Sequence, residues 1–176
     1  MRGQLQIARL SPCRGGAFAV IAACAPMVSL ANPALDLFRD NCFSPFLTAA
    51  KAQEIFDIPG LRWDFYDLDP FSSAAPSPVT GRAATPGTDR RCEIAFDGDH
   101  VVQGEATVLQ ALTAEGITSE AQVPADFPAQ PDAALVAARQ LNPRRIAVVQ
   151  VGLRSGPKGP ETYLSVERLT PREVTQ

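Results

Sequence analysis

Cys42 and Cys92 stand on either side of the one long stretch of this chain, Pro70 to Thr88, that is poor in large apolar side chains and rich in Pro, Ser, Ala, Thr and Gly. A bond between these two thiols ties the segments before and after that stretch into one body, so the stretch reads as a surface loop rather than as a linker between domains. Whether the thiols pair depends on the compartment, and the N-terminus bears on that. Residues 1–31 carry Arg2, Arg9 and Arg14, no acidic residue, and a mostly apolar run from Ala17 to Ala31, the pattern of an export signal.

Pro26 and Ser29 interrupt the run, which falls short of the roughly 20 apolar residues of a bilayer span, so no permanent transmembrane helix is expected. Small residues in Ser29-Leu30-Ala31 place the cleavage before Asn32, which leaves a good helix cap followed by a proline suited to the first helical position. A rival cut exists: Ile21-Ala22-Ala23-Cys24 has the form of a lipobox, which would make Cys24 a lipidated N-terminus and the protein an envelope lipoprotein. The residues after Cys24 stay apolar where a lipidated terminus has a polar tether, which favours the cut before Asn32. A cytosolic chain with an apolar N-terminal helix is the third reading. With residues 1–31 removed, Cys13 and Cys24 leave too, and one Cys42–Cys92 disulfide is expected in an oxidising compartment. The spacing is unlike Cys-x-x-Cys, and two cysteines with one histidine make no structural zinc site.

The leader removes three positive charges and no negative one, leaving 13 Lys+Arg against 19 Asp+Glu, a charge near −6. Phosphate binding needs clustered cations, so nucleic acid is not an expected partner. The nearest clusters, Arg90-Arg91 and Arg144-Arg145, read as solvated strand ends.

Periodicity gives an α+β chain of residues 32–176. A short amphipathic helix is expected over residues 33–43, with Leu35, Phe38 and Cys42 on its apolar side. Ser44-Pro45 opens a second from Phe46 to Phe56, ended by Pro59-Gly60. Trp63 and Phe65 alternate with Arg62, Asp64 and Tyr66 as in a half-buried strand, and Cys92, Ile94 and Phe96 alternate with Arg91, Glu93 and Ala95 as in a second. Asp97-Gly98 is a turn, after which Asp99 to Val102 forms a short return strand or Asp99 caps a helix directly. That helix buries Val108, Leu109 and Leu112 and stops at Gly116. Asp132 caps a further helix, Ala133 to Leu141, ended by Asn142-Pro143. Arg145 to Leu153 is a strand buried on both faces, and a loose hairpin over residues 155–160 leads into a last strand, Thr162 to Leu169. The expected fold is four or five strands in a largely antiparallel sheet, with helices packed on one face.

Little titratable chemistry stands out. Asp97-Gly98-Asp99-His100 brings two carboxylates and the only imidazole to one turn, the candidate for a small metal site or an acid/base pair in a periplasmic hydrolase. Calcium needs more oxygen ligands and catalytic zinc more histidines than this segment offers, so the turn reads as structural. The run from Trp63 to Asp69 has the aromatic and acidic character of a sugar- or partner-binding strand, although alternation sends Trp63 and Phe65 inward. No Gly-x-Ser-x-Gly elbow, dinucleotide fingerprint, phosphate loop or haem-attachment motif occurs, and no cofactor is expected.

The leader, the helix running from Leu37-Phe38 to Cys42, the Cys92-Glu93-Ile94-Ala95-Phe96 strand and the closing Thr162-Tyr163-Leu164-Ser165-Val166 segment together resemble small exported bacterial proteins of unknown function. The resemblance covers most of residues 32–176 as a layout and supplies no catalytic residue. The expected function is that of a periplasmic or secreted, non-enzymatic binding or accessory protein, its partner an envelope protein or a small ligand.

Overall fold

A computed structural model of the chain describes residues 32–67, 77–85 and 87–170. The leader with Cys24, and residues 68–76 with the first part of the proline-rich stretch, lie outside the described residues.

Asn32 accepts a hydrogen bond from Ala34 N and opens α1 (Pro33–Asn41), which buries Ala34, Leu35 and Phe38. α2 (Ala49–Phe56) starts later than the Ser44-Pro45 pair suggests. Its cap is Thr48, whose Oγ1 accepts from Lys51 N, while Ser44 Oγ accepts from Phe46 N in a separate turn that leaves Phe46 exposed. Six strands follow among the described residues, rather than four or five: β1 (Leu61–Asp67), β2 (Thr88–Asp97), β3 (Glu120–Ala121), β4 (Ala133–Asn142), β5 (Arg145–Gly156) and β6 (Gly159–Leu169), with α3 (Val101–Ala114) between β2 and β3. They form one sheet in the order β1-β2-β6-β5-β4-β3, every neighbouring pair antiparallel.

The segment Ala133–Leu141, expected as a helix, is strand β4. Alanine gains only tenths of a kcal/mol per residue from helix formation, and the two-residue Pro143-Arg144 connection folds this segment back along β5, pairing Ala138 with Val148. A period of two places Leu135 and Ala137 against the main core and Val136 and Ala138 against a second cluster on the opposite face. Of the two readings of Asp99–Val102 the return strand is absent and the helix follows the turn: Gly98 turns the chain at φ 101°, α3 begins at Val101, and Asp99 Oδ1 accepts from Val101 N although His100 holds the cap position. α3 ends as its sequence suggests. Gly116, at φ 70°, donates to Thr113 O and Ile117 N to Leu112 O, the paired bonds of a glycine-ended helix. Val108 and Leu112 are buried, but Leu109 lies on the open side.

All three helices contribute to one core on one face of the sheet, where Phe38, Phe56 and Val108 meet Phe65, Ile94, Val149, Val151 and Leu164. Cys42 and Cys92 are joined there as a disulfide, fixing the end of α1 to the middle of β2. Among the described residues no helix is long and apolar enough to cross a membrane.

Candidate functional site

The residues of the Asp97–His100 turn are each engaged in structural contacts. Asp97 Oδ1 accepts from Arg62 Nη2 at 2.7 Å, and Oδ2 lies 3.4 Å from Lys158 Nζ. The Arg62 hydrogen bond, helped by Lys158, holds the carboxyl below the usual carboxylate range, so it is a fixed anion rather than a proton donor at neutral pH. Asp99 is exposed, and its Oδ1 accepts from Val101 N. The His100 ring lies against Phe96 with centroids 5.5 Å apart, and its backbone N–H donates to Thr162 Oγ1. Among the described residues no group of three His, Cys, Asp or Glu side chains is placed to hold a metal ion.

Arg90 and Arg91, expected at a solvated strand end, are both buried. Their side chains point to opposite faces of β2. Arg91 enters a charged layer on the face away from the helices, where Nη1 donates to Asp64 Oδ2 and Nε to Glu167 Oε1, each at 3.2 Å, with Nη2 donating to Ala83 O and Thr85 Oγ1. Burial opposes the charge of Arg91, yet Glu167 and Asp64 outweigh it and raise its pKa further. The layer continues through Arg154, which joins Glu93 to Glu161. Residues 77–85, largely exposed and without helix or strand, are anchored over it: Ser77 and Thr80 donate to Asp64, and Arg82 donates to Glu93. Of the Trp63–Asp69 run, Phe65 is buried and Trp63 is half-buried against Phe56, while residues 68 and 69 lie outside the described residues.

Arg90 is on the helix face, at the sheet end beyond the disulfide. The strand order β2-β6-β5 brings Arg90, Arg168 and Arg145 to this end. Arg90 and Arg168 are direct cross-strand partners, a like-charge pairing that needs compensation. Asp67 and Asp89 supply it. Asp89 receives Arg168 Nε at 2.6 Å and lies 3.1 Å from Arg145 Nη2, while Asp67 lies 3.3 Å from Arg168 Nη2 and 2.7 Å from Arg90 Nη2. The result is an alternating chain, Arg145–Asp89–Arg168–Asp67–Arg90.

Beside this chain opens a pocket of about 260 Å³. Ala147 and Val166 form its sheet floor, Phe43, Pro45 and Cys42 one wall, and Ile117, Leu141 and Asn142 the other, with the three arginines on its lining. Arg90 is held in place by Ser44 O, which accepts from Nη1, and by Leu47 O, which accepts from Nη2, both in the connection between α1 and α2. Its guanidinium lies 5.5 Å from the Phe65 ring centroid. Arg90 Nε is buried and has no hydrogen-bond partner among the described residues, a deficit worth about 1–3 kcal/mol if nothing fills it. Arg144, by contrast, is exposed and does not line the pocket. Comparison with protein-family models, with curated proteins and with solved structures finds no match.

Nothing local in the sequence singles out Arg168, Asp89 or the role of Arg90. The available signal was an arginine near the end of each of three strands, at 90, 145 and 168, but only the strand order shows that these three ends coincide.

Proposed function

We propose that this chain is an exported, non-enzymatic binding module that holds a small ligand in the arginine-lined pocket. The observation that carries this reading is the pocket itself: concave, apolar in its walls, with convergent charged donors on one side, the usual form of a small-molecule site. A small ligand fits this shape better than an envelope protein, which needs a broad surface. The Cys42–Cys92 bond supports export to the periplasm or beyond, because disulfides persist in oxidising compartments. Asp97 is paired with Arg62, Asp99 accepts from Val101 N and the His100 ring packs on Phe96, local structural roles that favour the binding reading over the hydrolase reading.

Two measurements test the proposal. The intact mass of protein exported by a bacterial host, taken with and without reduction, is expected to start at Asn32 and to show two thiols only after reduction; a lipidated mass starting at Cys24 would make it a membrane-anchored form instead. A small-molecule screen read by methyl chemical shifts is expected to give saturable changes at Ile117, Leu141 and Val166. Saturable changes centred on His100 with turnover of a substrate would overturn the binding reading.

A further inference from the structure

We infer that the occupant of the pocket is a small amphipathic monoanion, a carboxylate carried on a short acyl chain; this rests on the reading of the pocket as a binding site. The charge follows from the alternating chain behind the pocket. Among the described residues, Arg145, Arg168 and Arg90 bring three positive charges and Asp89 and Asp67 two negative ones, leaving one positive charge in excess. Arg90, Arg145 and Arg168 all line the pocket, and neither Asp67 nor Asp89 does. A single negative charge completes the balance, whereas a cation meets three arginines at the wall.

Arg145 offers the donor. Among the described residues its one ion pair runs from Nη2 to Asp89, and its side chain is 29% exposed, so the rest of the guanidinium is open to a ligand. A planar guanidinium suits a carboxylate or a phosphate, and the apolar walls decide between them. Arg90 contributes charge rather than a hydrogen bond: its two Nη atoms are committed to backbone carbonyls and Asp67, and its Nε is closed off from solvent.

The acyl part follows from the other walls. Ala147, Val166, Ile117 and Leu141 offer no hydrogen bond from their side chains, so a bare inorganic anion would leave them wetted while an alkyl chain removes them from water. The volume of about 260 Å³ lies just under the roughly 300 Å³ at which pockets for drug-sized ligands begin, which excludes a long lipid tail held entirely inside.

The test is titration of the protein with four probes at constant ionic strength, followed by calorimetry and methyl chemical shifts: octanoate, octan-1-ol, octylammonium and inorganic phosphate. Octanoate is expected to bind one to one with shifts at Ile117, Leu141 and Val166, at least about tenfold more tightly than octan-1-ol, with octylammonium and phosphate not saturating. R145Q and R168Q are each expected to weaken octanoate about tenfold while leaving octan-1-ol unchanged, and R144Q, altering the exposed neighbour, to leave both unchanged. I117W, which fills the pocket without altering charge, is expected to abolish both, with a native shift dispersion showing that it folds. Equal binding of octanoate and octan-1-ol, or preference for octylammonium, overturns the monoanion inference while the pocket stands as a binding site. Phosphate binding as tightly as octanoate overturns the acyl part. If no probe gives a saturable shift at the pocket, the inference and the binding reading beneath it fall together.

Discussion

Arg91 Nε lies 3.2 Å from Glu167 Oε1 across the β2–β6 pair, with both side chains no more than 5% exposed. Removing one partner strands the other in a poorly solvated layer, and Glu167 also accepts from Thr88 Oγ1 at 2.9 Å. Glu167→Ala is therefore expected to lower stability by about 3–5 kcal/mol in urea unfolding. Arg39→Ala, which removes the exposed pairs with Asp36 and Asp40, is expected to cost under about 1 kcal/mol. A similar small loss for both variants would show that the buried layer is solvated in solution.

Tyr163 is buried beside Glu93, and desolvation followed by that negative charge raises its pKa from 10 to about 12, while Arg154 over its ring pulls the other way. The folded state therefore keeps its proton where the unfolded chain has lost it. Stability is full below pH 10 and falls between pH 10 and about 12, by up to about 1.4 kcal/mol per pH unit. Tyr163→Phe is expected to flatten this alkaline decline. It should cost little at pH 7, because the hydroxyl has no hydrogen-bond partner among the described residues. An unchanged alkaline slope in pH-resolved melting would refute the assignment.

Gly152 of β5 leaves room for the segment ending at Asp132. A Cβ there would sit 2.5 Å from both Asp132 O and the Tyr163 hydroxyl, and neither a backbone carbonyl nor a side chain buried in the sheet has space to retreat. Gly152→Ala is expected to destabilise the fold by about 1–3 kcal/mol, the usual range for overpacking. Gly60→Ala is a useful contrast: it meets no atom within 4 Å, and its cost comes from its φ of 86° alone.

The Cys42–Cys92 bond closes fifty residues of chain and also lines the pocket through Cys42. Replacing both by Ala is expected to cost about 2–5 kcal/mol in denaturant unfolding. It should also weaken ligand binding in the folded state, because Ser44 and Leu47, which orient Arg90, follow directly on Cys42. Unchanged binding at pre-unfolding denaturant concentrations would separate the pocket from the disulfide.

Local signals carried much of the fold. Asn32-Pro33, Gly116 and the alternation of Cys92, Ile94 and Phe96 each act within a few residues, and each element they indicate is present. β4 was illegible because the energy that makes it a strand comes from β5, not from its own alanines. The buried arginines were illegible for a related reason. Arg90 and Arg91 are adjacent in the chain and look like one basic pair, but strand geometry sends one into the pocket wall and the other under residues 77–85, each toward carboxylates distant in sequence. The pocket combines residues from the α1–α2 connection, the α3–β3 connection and strands β2, β4, β5 and β6, so no single stretch could announce it.

β6, the final strand along the chain, occupies an interior place in the sheet, between β2 and β5. Until it emerges, β1-β2 and the β4-β5 pair are two separate ribbons, each with an open edge and no shared floor for the helices. The chain therefore gains its cooperative core only once β6, through Leu169, is available. Such pairing over long sequence separations makes for slow folding, and the two ribbons keep unpaired inner edges until β6 enters between them.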